Sequence, residues 1–338
     1  MAKLKLYFAL SILALLLSSS RAHSDRGMLA PAGTSVWEPG QKAIIAWNGE
    51  REVLILSTDV RSSESTWALE ILPLPSRPEV EAGDFSSFLK LQRILDEYVS
   101  LAYAAKGLEG GSPVQVVFSQ RIGSHGITVV EAGDAAGLAR WVENYLAEKG
   151  LEPNIAWADL LELADAYIRR GMRYWVFDLV DLGEDMGSRE PIVYSFESDF
   201  LYYPLEISSL ASGSTEVTLF CLTNKPLDVG VALPADLTVA SFEVAGDRIA
   251  LELEVSEIEL TLIDRRVAGL FDDGAKLTVL TYEGPLTELR GDLALYTTPS
   301  GEDQMLAAAW AALLILGLFL AFGVVYWLSP YYKSEPAG

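Results

Sequence analysis

The sequence predicts an α+β fold: a mixed N-terminal half with antiparallel strands and three helices, a mostly-β, sandwich-like region after it, and one C-terminal transmembrane helix. Three observations predict it. Apolar residues alternate in strand fashion around Asn48-Gly49 but recur every three or four residues across 85–99, 138–145 and 160–168. Beyond Pro191 the helical spacing nearly vanishes, and short β-branched runs follow one another between Pro and Gly. Residues 305–328 form an apolar run with no charge in it.

The elements follow in order. Residues 1–24 begin with Lys3 and Lys5, continue through an apolar run over 6–17 and end in small polar residues. This is the pattern of a secretory signal peptide, with cleavage after Ala22 or Ser24 and an uncleaved anchor as the alternative. In 41–57, strands flank Asn48-Gly49, a strong hairpin signal. A strand at 67–72 runs into Pro73, Pro75 and Pro78. Asp84 caps the first helix, and a second hairpin spans 114–131 and turns at 123–126. Asp134 opens the second helix and Gly150 closes it; Asn154 opens the third, which ends at Gly171. A strand covers 173–180. Strands are then expected at 193–196, 205–208, 216–223, 237–242, 249–255, 258–263, 276–282 and 293–296.

The resulting division is a signal peptide over 1–24, an α+β domain over 25–190 and a mostly-β region over 191–296. A connector follows at 297–304, then the span over 305–328 and a short inner tail over 329–338. The span would measure about 36 Å as a helix, enough for a hydrocarbon core of about 30 Å. Trp310 and the cluster Tyr326, Trp327, Tyr331 and Tyr332 suit the two interfaces, and Pro330 stops the helix. The expected place is the cell membrane, single-pass, with the lipid bilayer as one partner and the ectodomain outside.

Composition narrows the function. Acidic residues outnumber basic ones 47 to 25. Without Lys3, Lys5 and Arg21 the mature chain carries 22 bases against 47 acids, a net charge of −25. Such a body is repelled by nucleic acid and anionic lipid and suits a soluble domain, a cation-rich surface or a basic partner. A lone Cys221 forbids an internal disulfide and reads as a buried, inert thiol; an intermolecular bridge is the alternative. His125 is the only histidine after residue 24, so no zinc site can rest on two histidines, and it reads as a hairpin-turn residue. No cofactor is expected.

Four motifs carry chemistry. Ser87 and Lys90 match Ser-x-x-Lys at a helix start, the pattern of a Ser–Lys acylating dyad. Its companion motifs are absent, and a capped helix with an exposed lysine is the preferred reading. Asp178, Asp181, Glu184 and Asp185 cluster hard oxygens that suit Ca²⁺, without the spacing of an EF-hand loop. A solvated acidic turn is preferred. Paired carboxylates for glycoside hydrolysis are selected by no spacing. The segment 72–79, LPLPSRPE, reads as a rigid strand-to-helix connector or a polyproline II ligand.

Several stretches together resemble the prokaryotic domain of unknown function 2330 family. They are DRGMLAPAG at 25–33 with the QKAIIAW strand, WALEILPLPSRPEV at 67–80, VVEAGDAAGLARWVENYL at 129–146, RYWVFDLVDL at 173–182 and YPLEISS at 203–209. The likeness covers roughly 25–210. It implies a secreted or anchored envelope protein and no established activity. That family usually has cysteines near its start; this chain has none there. The function expected is a non-catalytic binding or envelope module that meets an envelope protein or surface ligand. The alternative is a His-independent hydrolase built on Ser87 and Lys90 or on two acids.

Overall fold

Residues 43–47 and 53–56 are apolar without a break, which a strand tolerates only when both its faces are covered. The structure, a computed structural model, covers both faces. It describes residues 27–31, 34, 36–37, 40–58, 60–62, 64–107, 125–182, 190–211, 213–230 and 233–297.

The chain opens with strands β1 (Gly27–Leu29), β2 (Val36–Trp37), β3 (Gly40–Trp47), β4 (Arg51–Thr58), β5 (Arg61–Ser62), β6 (Thr66–Leu74) and β7 (Glu79–Ala82). Helix α1 (Ser86–Ala105), β8 (His125–Glu131), helices α2 (Ala135–Lys149) and α3 (Trp157–Arg169), and β9 (Tyr174–Leu182) come next. Then follow β10 (Ile192–Glu197), β11 (Leu201–Tyr203), a 3-10 turn at Glu206–Leu210, β12 (Ser214–Thr223), β13 (Thr238–Val239) and β14 (Ser241–Val244). Strands β15 (Asp247–Ala250) and β16 (Glu252–Val255), helices α4 (Glu257–Ile263) and α5 (Arg265–Ala268), and strands β17 (Ala275–Pro285) and β18 (Leu293–Leu295) complete the described elements.

The fold is thus mixed α and β, with five α-helices among the described residues. An eight-stranded sheet runs β13-β17-β12-β3-β4-β10-β7, with β16 also paired to β17. Within it β12 and β3 are parallel and the other pairs antiparallel. One face packs Ile44, Ile55, Phe220 and Leu222 against Phe88, Leu91, Leu95 and Val99 of α1 and Leu260 and Ile263 of α4. The other packs Ile45, Leu54, Leu219 and Cys221 into a larger core shared with Trp175, Phe177, Val142 and Tyr167. That core reaches a four-stranded sheet, β1-β6-β9-β8. Each fully buried large apolar side chain contributes about 1.5–3 kcal/mol to holding the layers together.

Local signals set the N-terminal elements. Asn48 Oδ1 accepts the N–H groups of Glu50 and Arg51 at 3.0 and 2.9 Å, and Gly49 takes φ 107°, so β3 and β4 pair as the expected hairpin. Asp84 accepts the Ser86 N–H at 2.7 Å ahead of α1. Asp134 caps α2, which ends at Gly150 with φ 68°. The third helix starts at Trp157 rather than at Asn154, whose N–H donates instead to the Ala30 carbonyl at 2.8 Å. Pro73 sits inside β6, past the last residue that β1 pairs, where β6 has one neighbour and a missing N–H is tolerated. The Pro-rich segment then joins β6 of one sheet to β7 of the other, strand to strand rather than strand to helix.

Four further expectations are corrected. Residues 258–263 form helix α4, not a strand: Ser256 and Glu259 make a capping box that overrides the alternating pattern. Residues 205–208 lie largely in the 3-10 turn at Glu206–Leu210. His125 is the first residue of β8, opposite Val180, and not a turn residue. The region after residue 190 is not a sandwich of its own, because β3, β4 and β7 share the eight-stranded sheet with β10, β12, β13, β16 and β17. Among the described residues no helix is long and apolar enough to cross a membrane. The segment 305–328 lies outside them, as do the signal segment 1–24, the inner tail 329–338 and the connector beyond residue 297.

Gly274 turns the chain into β17 at φ 97°, and a Cβ there would lie 2.6 Å from the Val255 carbonyl oxygen. Gly274→Ala is expected to cost about 2–3 kcal/mol, read as a lowered urea midpoint with an unchanged slope.

Candidate functional site

Residues two apart on a strand share a face. The β12–β17 register sets Glu216 opposite Glu283, Thr218 opposite Thr281 and Phe220 opposite Val279. On the far side of β17, β13 sets Thr238 opposite Thr281. One sheet face therefore carries three successive rows: two acids, three threonines, then an aromatic beside an aliphatic. Phe220 identifies the face, since its ring meets that of Phe88 on α1 at 6.5 Å.

The apolar row is partly roofed. Leu95 and Val99 of α1 and Leu251 partly cover a half-open chamber of about 350 Å³ over Phe220 and Val279. Four of its polar groups come in pairs: Gln92 Nε2 donates to Asp96 Oδ1 at 2.8 Å, and Arg248 Nε donates to Ser241 Oγ at 2.5 Å. Past the threonines the face opens into a cleft of about 580 Å³ whose described lining residues include Glu216, Asp236, Glu283 and Glu288 and no basic residue. Thr218, Thr238 and Thr281 line both spaces. Tyr282 backs the cleft and donates its hydroxyl to the Pro285 carbonyl at 2.6 Å. Burial, then the charges of Glu288 and Asp236, raise its pKa. The arrangement offers an apolar chamber, hydroxyls at its neck and an acidic mouth, which is the make-up of a small-ligand site.

The residues singled out in the sequence fall elsewhere. Ser87 is 1% exposed in the first turn of α1, and its N–H donates to the Asp84 carbonyl at 3.0 Å. The nearby charge of Lys90 acts on Asp84, whose carboxyl is held below its usual range by the Ser86 hydrogen bonds first and by Lys90 after them. Neither Ser87 nor Lys90 lines the chamber or the cleft. Asp178 is buried in β9, while Asp181, an odd number of residues on, points to the opposite face and is exposed. The strand therefore does not bring the two together as metal ligands. Glu184 and Asp185 lie outside the described residues. Among the described residues no group of three His, Cys, Asp or Glu is placed to hold a metal ion. Cys221 is buried, and burial, then Glu52, push its thiol pKa upward, away from the nucleophilic thiolate.

The sequence reading missed three features. Glu70 and Asp178 are directly opposite in the β6–β9 register and both buried, at 2% and 1% exposure. An acid inside the apolar run WALEILPL was the available signal. Glu52 is fully buried, with Oε2 accepting the Tyr202 N–H at 2.7 Å and Oε1 without a partner. The cleft itself draws on three separated segments, 216–218, 236–238 and 281–288, each of which reads alone as an ordinary element.

Comparison with known proteins adds the following. A family model described as an uncharacterized protein conserved in bacteria (DUF2330) matches residues 22–247. The search of curated proteins finds no match. Among solved structures, the crystal structure of baculovirus P35 is 10% identical with a TM-score of 0.41, covering 78% of this chain and 98% of that one. The crystal structure of the caspase-8/P35 complex is 10% identical with a TM-score of 0.37, covering 77% and 96%.

Proposed function

We propose that this chain, which belongs to the DUF2330 family of uncharacterized proteins conserved in bacteria, is a non-catalytic binding module held at the outer side of a cell membrane. The observation that supports binding is the partly roofed chamber under α1 with its threonine neck. Such a space is apolar enough to desolvate a ligand body and polar enough at the rim to orient it. Catalysis has no comparable support. Ser87 is buried away from that space, Cys221 is held as a thiol, and Asp178 and Asp181 point apart. The membrane placement draws on the n-region lysines of 1–24 and on the uncharged run 305–328.

The full chain is therefore expected to show no saturable hydrolysis of peptide, ester or glycoside substrates. An acylating fluorophosphonate probe should label it no more than it labels the Ser87→Ala variant. Turnover lost on Ser87→Ala, or on neutralising Asp178, would return the assignment to a hydrolase.

A further inference from the structure

We propose that the ligand is a small amphipathic cation, an apolar body ending in one ammonium or guanidinium group, bound with the body in the chamber and the charge in the acidic cleft. The proposal rests on the binding-module reading and adds the ligand's chemistry and orientation.

Three features of the sheet face carry it. The first is the chamber, whose floor and walls are Phe220, Val279, Leu95, Val99 and Leu251. An apolar group that leaves water to fill it gains about 25 cal/mol per Å² of its surface. The second is the acid row. Glu216 and Glu283 are directly opposite, an arrangement that sheets disfavour by a few tenths to about 1 kcal/mol because like charges meet. Asp236 and Glu288 line the same cleft. Among the described residues none of these four acids has a lysine or arginine within ion-pair reach, whereas Glu79, Glu81, Glu206 and Glu254 each have one. Lys42 of β3 shares this face beside Thr218 but makes no ion pair with the four acids, so a bound cation would relieve their repulsion, and the same occupant has the apolar body that the chamber fits.

The third is what sets the direction. Among the described residues that line the chamber the charged ones are Arg248 and Asp96, and Arg248 also stands opposite Glu243 across the β14–β15 pair. A second positive charge is therefore less welcome there than at the mouth, where four acids line the cleft with no base among its described lining residues. Between the two ends Thr218, Thr238 and Thr281 present hydroxyls that can accept from an ammonium N–H.

Calorimetric titration of the full chain with phenylbutylamine, phenylbutyrate and phenylbutanol tests this. Phenylbutylamine should bind saturably and at least about tenfold more tightly than the other two, as expected for two or more partly screened charge contacts. The double variant Glu216→Gln, Glu283→Gln sits on exposed strand positions and should lose about that tenfold for the amine alone. Thr238→Trp, at an exposed strand position shared by both spaces, should abolish binding of all three. If phenylbutyrate or phenylbutanol binds as tightly as the amine and Thr238→Trp removes it, the cationic assignment falls and the binding module stands. An amine affinity unmoved by the double variant overturns the assignment likewise. If none of the three binds at millimolar concentration, the chamber is not a ligand site and both readings fall.

Discussion

Asp292→Ala is expected to lower the unfolding free energy by about 3–5 kcal/mol, the cost of leaving buried partners of a charge without it. Asp292 joins three parts of the chain that lie far apart in sequence. Its Oδ1 accepts the Tyr167 hydroxyl of α3 at 2.7 Å and the Glu206 N–H at 3.0 Å. Its Oδ2 accepts the Tyr202 hydroxyl of β11 at 3.4 Å and lies 3.6 Å from Arg170. Arg170 also pairs with Glu206 at 2.6 Å and lies over the Tyr167 ring at 4.4 Å from its centroid. The Tyr167 oxygen in turn accepts the Ile207 N–H at 2.9 Å. The side chain of Asp292 is only 6% exposed, so water cannot replace these contacts.

Asp292→Asn separates charge from shape. It keeps an acceptor for Tyr167 and Glu206 but turns a donor toward Arg170 and Tyr202, so a smaller loss of about 1–2 kcal/mol is expected. Burial raises the Asp292 carboxyl above its usual range, against the lowering by Tyr167, the Glu206 N–H and Arg170. A raised carboxyl pKa makes folding lose stability as pH rises from the unfolded value toward the folded one. The Asn variant lacks that slope, so its deficit should shrink between mildly acidic and neutral pH. Urea unfolding of both variants across that range measures it; equal deficits at every pH would remove the electrostatic part.

Much of the local structure was legible because it is set by neighbouring residues. Asn48-Gly49 can turn a hairpin wherever it lies, and Asp134 and Gly150 bound α2 by chemistry contained within the helix ends. The stripe of Phe88, Leu91, Leu95 and Val99 was likewise readable as one face of α1. Residues 258–263 were misread because IELTLI alternates; its capping box starts outside the run, at Ser256. The pairing of β3 with β12 was not legible at all. It is a parallel contact between Gly40–Trp47 and residues 216–223, and nothing local specifies a partner that distant. The cleft shares that fate. Glu216 and Glu283 read separately as solvated strand residues, and only the β12–β17 register makes them a pair.

Glu52→Gln is expected to flatten the pH dependence of stability and to make the protein more stable than the parent at neutral and alkaline pH. Glu52 points into the core, where Oε2 takes the Tyr202 N–H and Oε1 takes nothing. Burial raises its pKa well above 4.5, with the Tyr202 hydrogen bond opposing the rise. The folded chain therefore holds a proton that the unfolded chain releases once pH exceeds the ordinary carboxyl value. Stability from this group is intact below that value and falls at about 1.4 kcal/mol per pH unit until the folded pKa is reached. Glutamine keeps the acceptor for Tyr202 and cannot ionise, so the slope disappears. Its two amide protons find no better partner than the lost acid proton did, at roughly 1 kcal/mol, and the variant should be slightly weaker than the parent at pH near 4. The two stability curves therefore cross. Parallel curves in chemical denaturation between acid and alkaline pH would show that Glu52 ionises freely in the folded state. A crossing would show that β4 meets β11 through a neutral acid, a contact that rising pH loosens from inside the core.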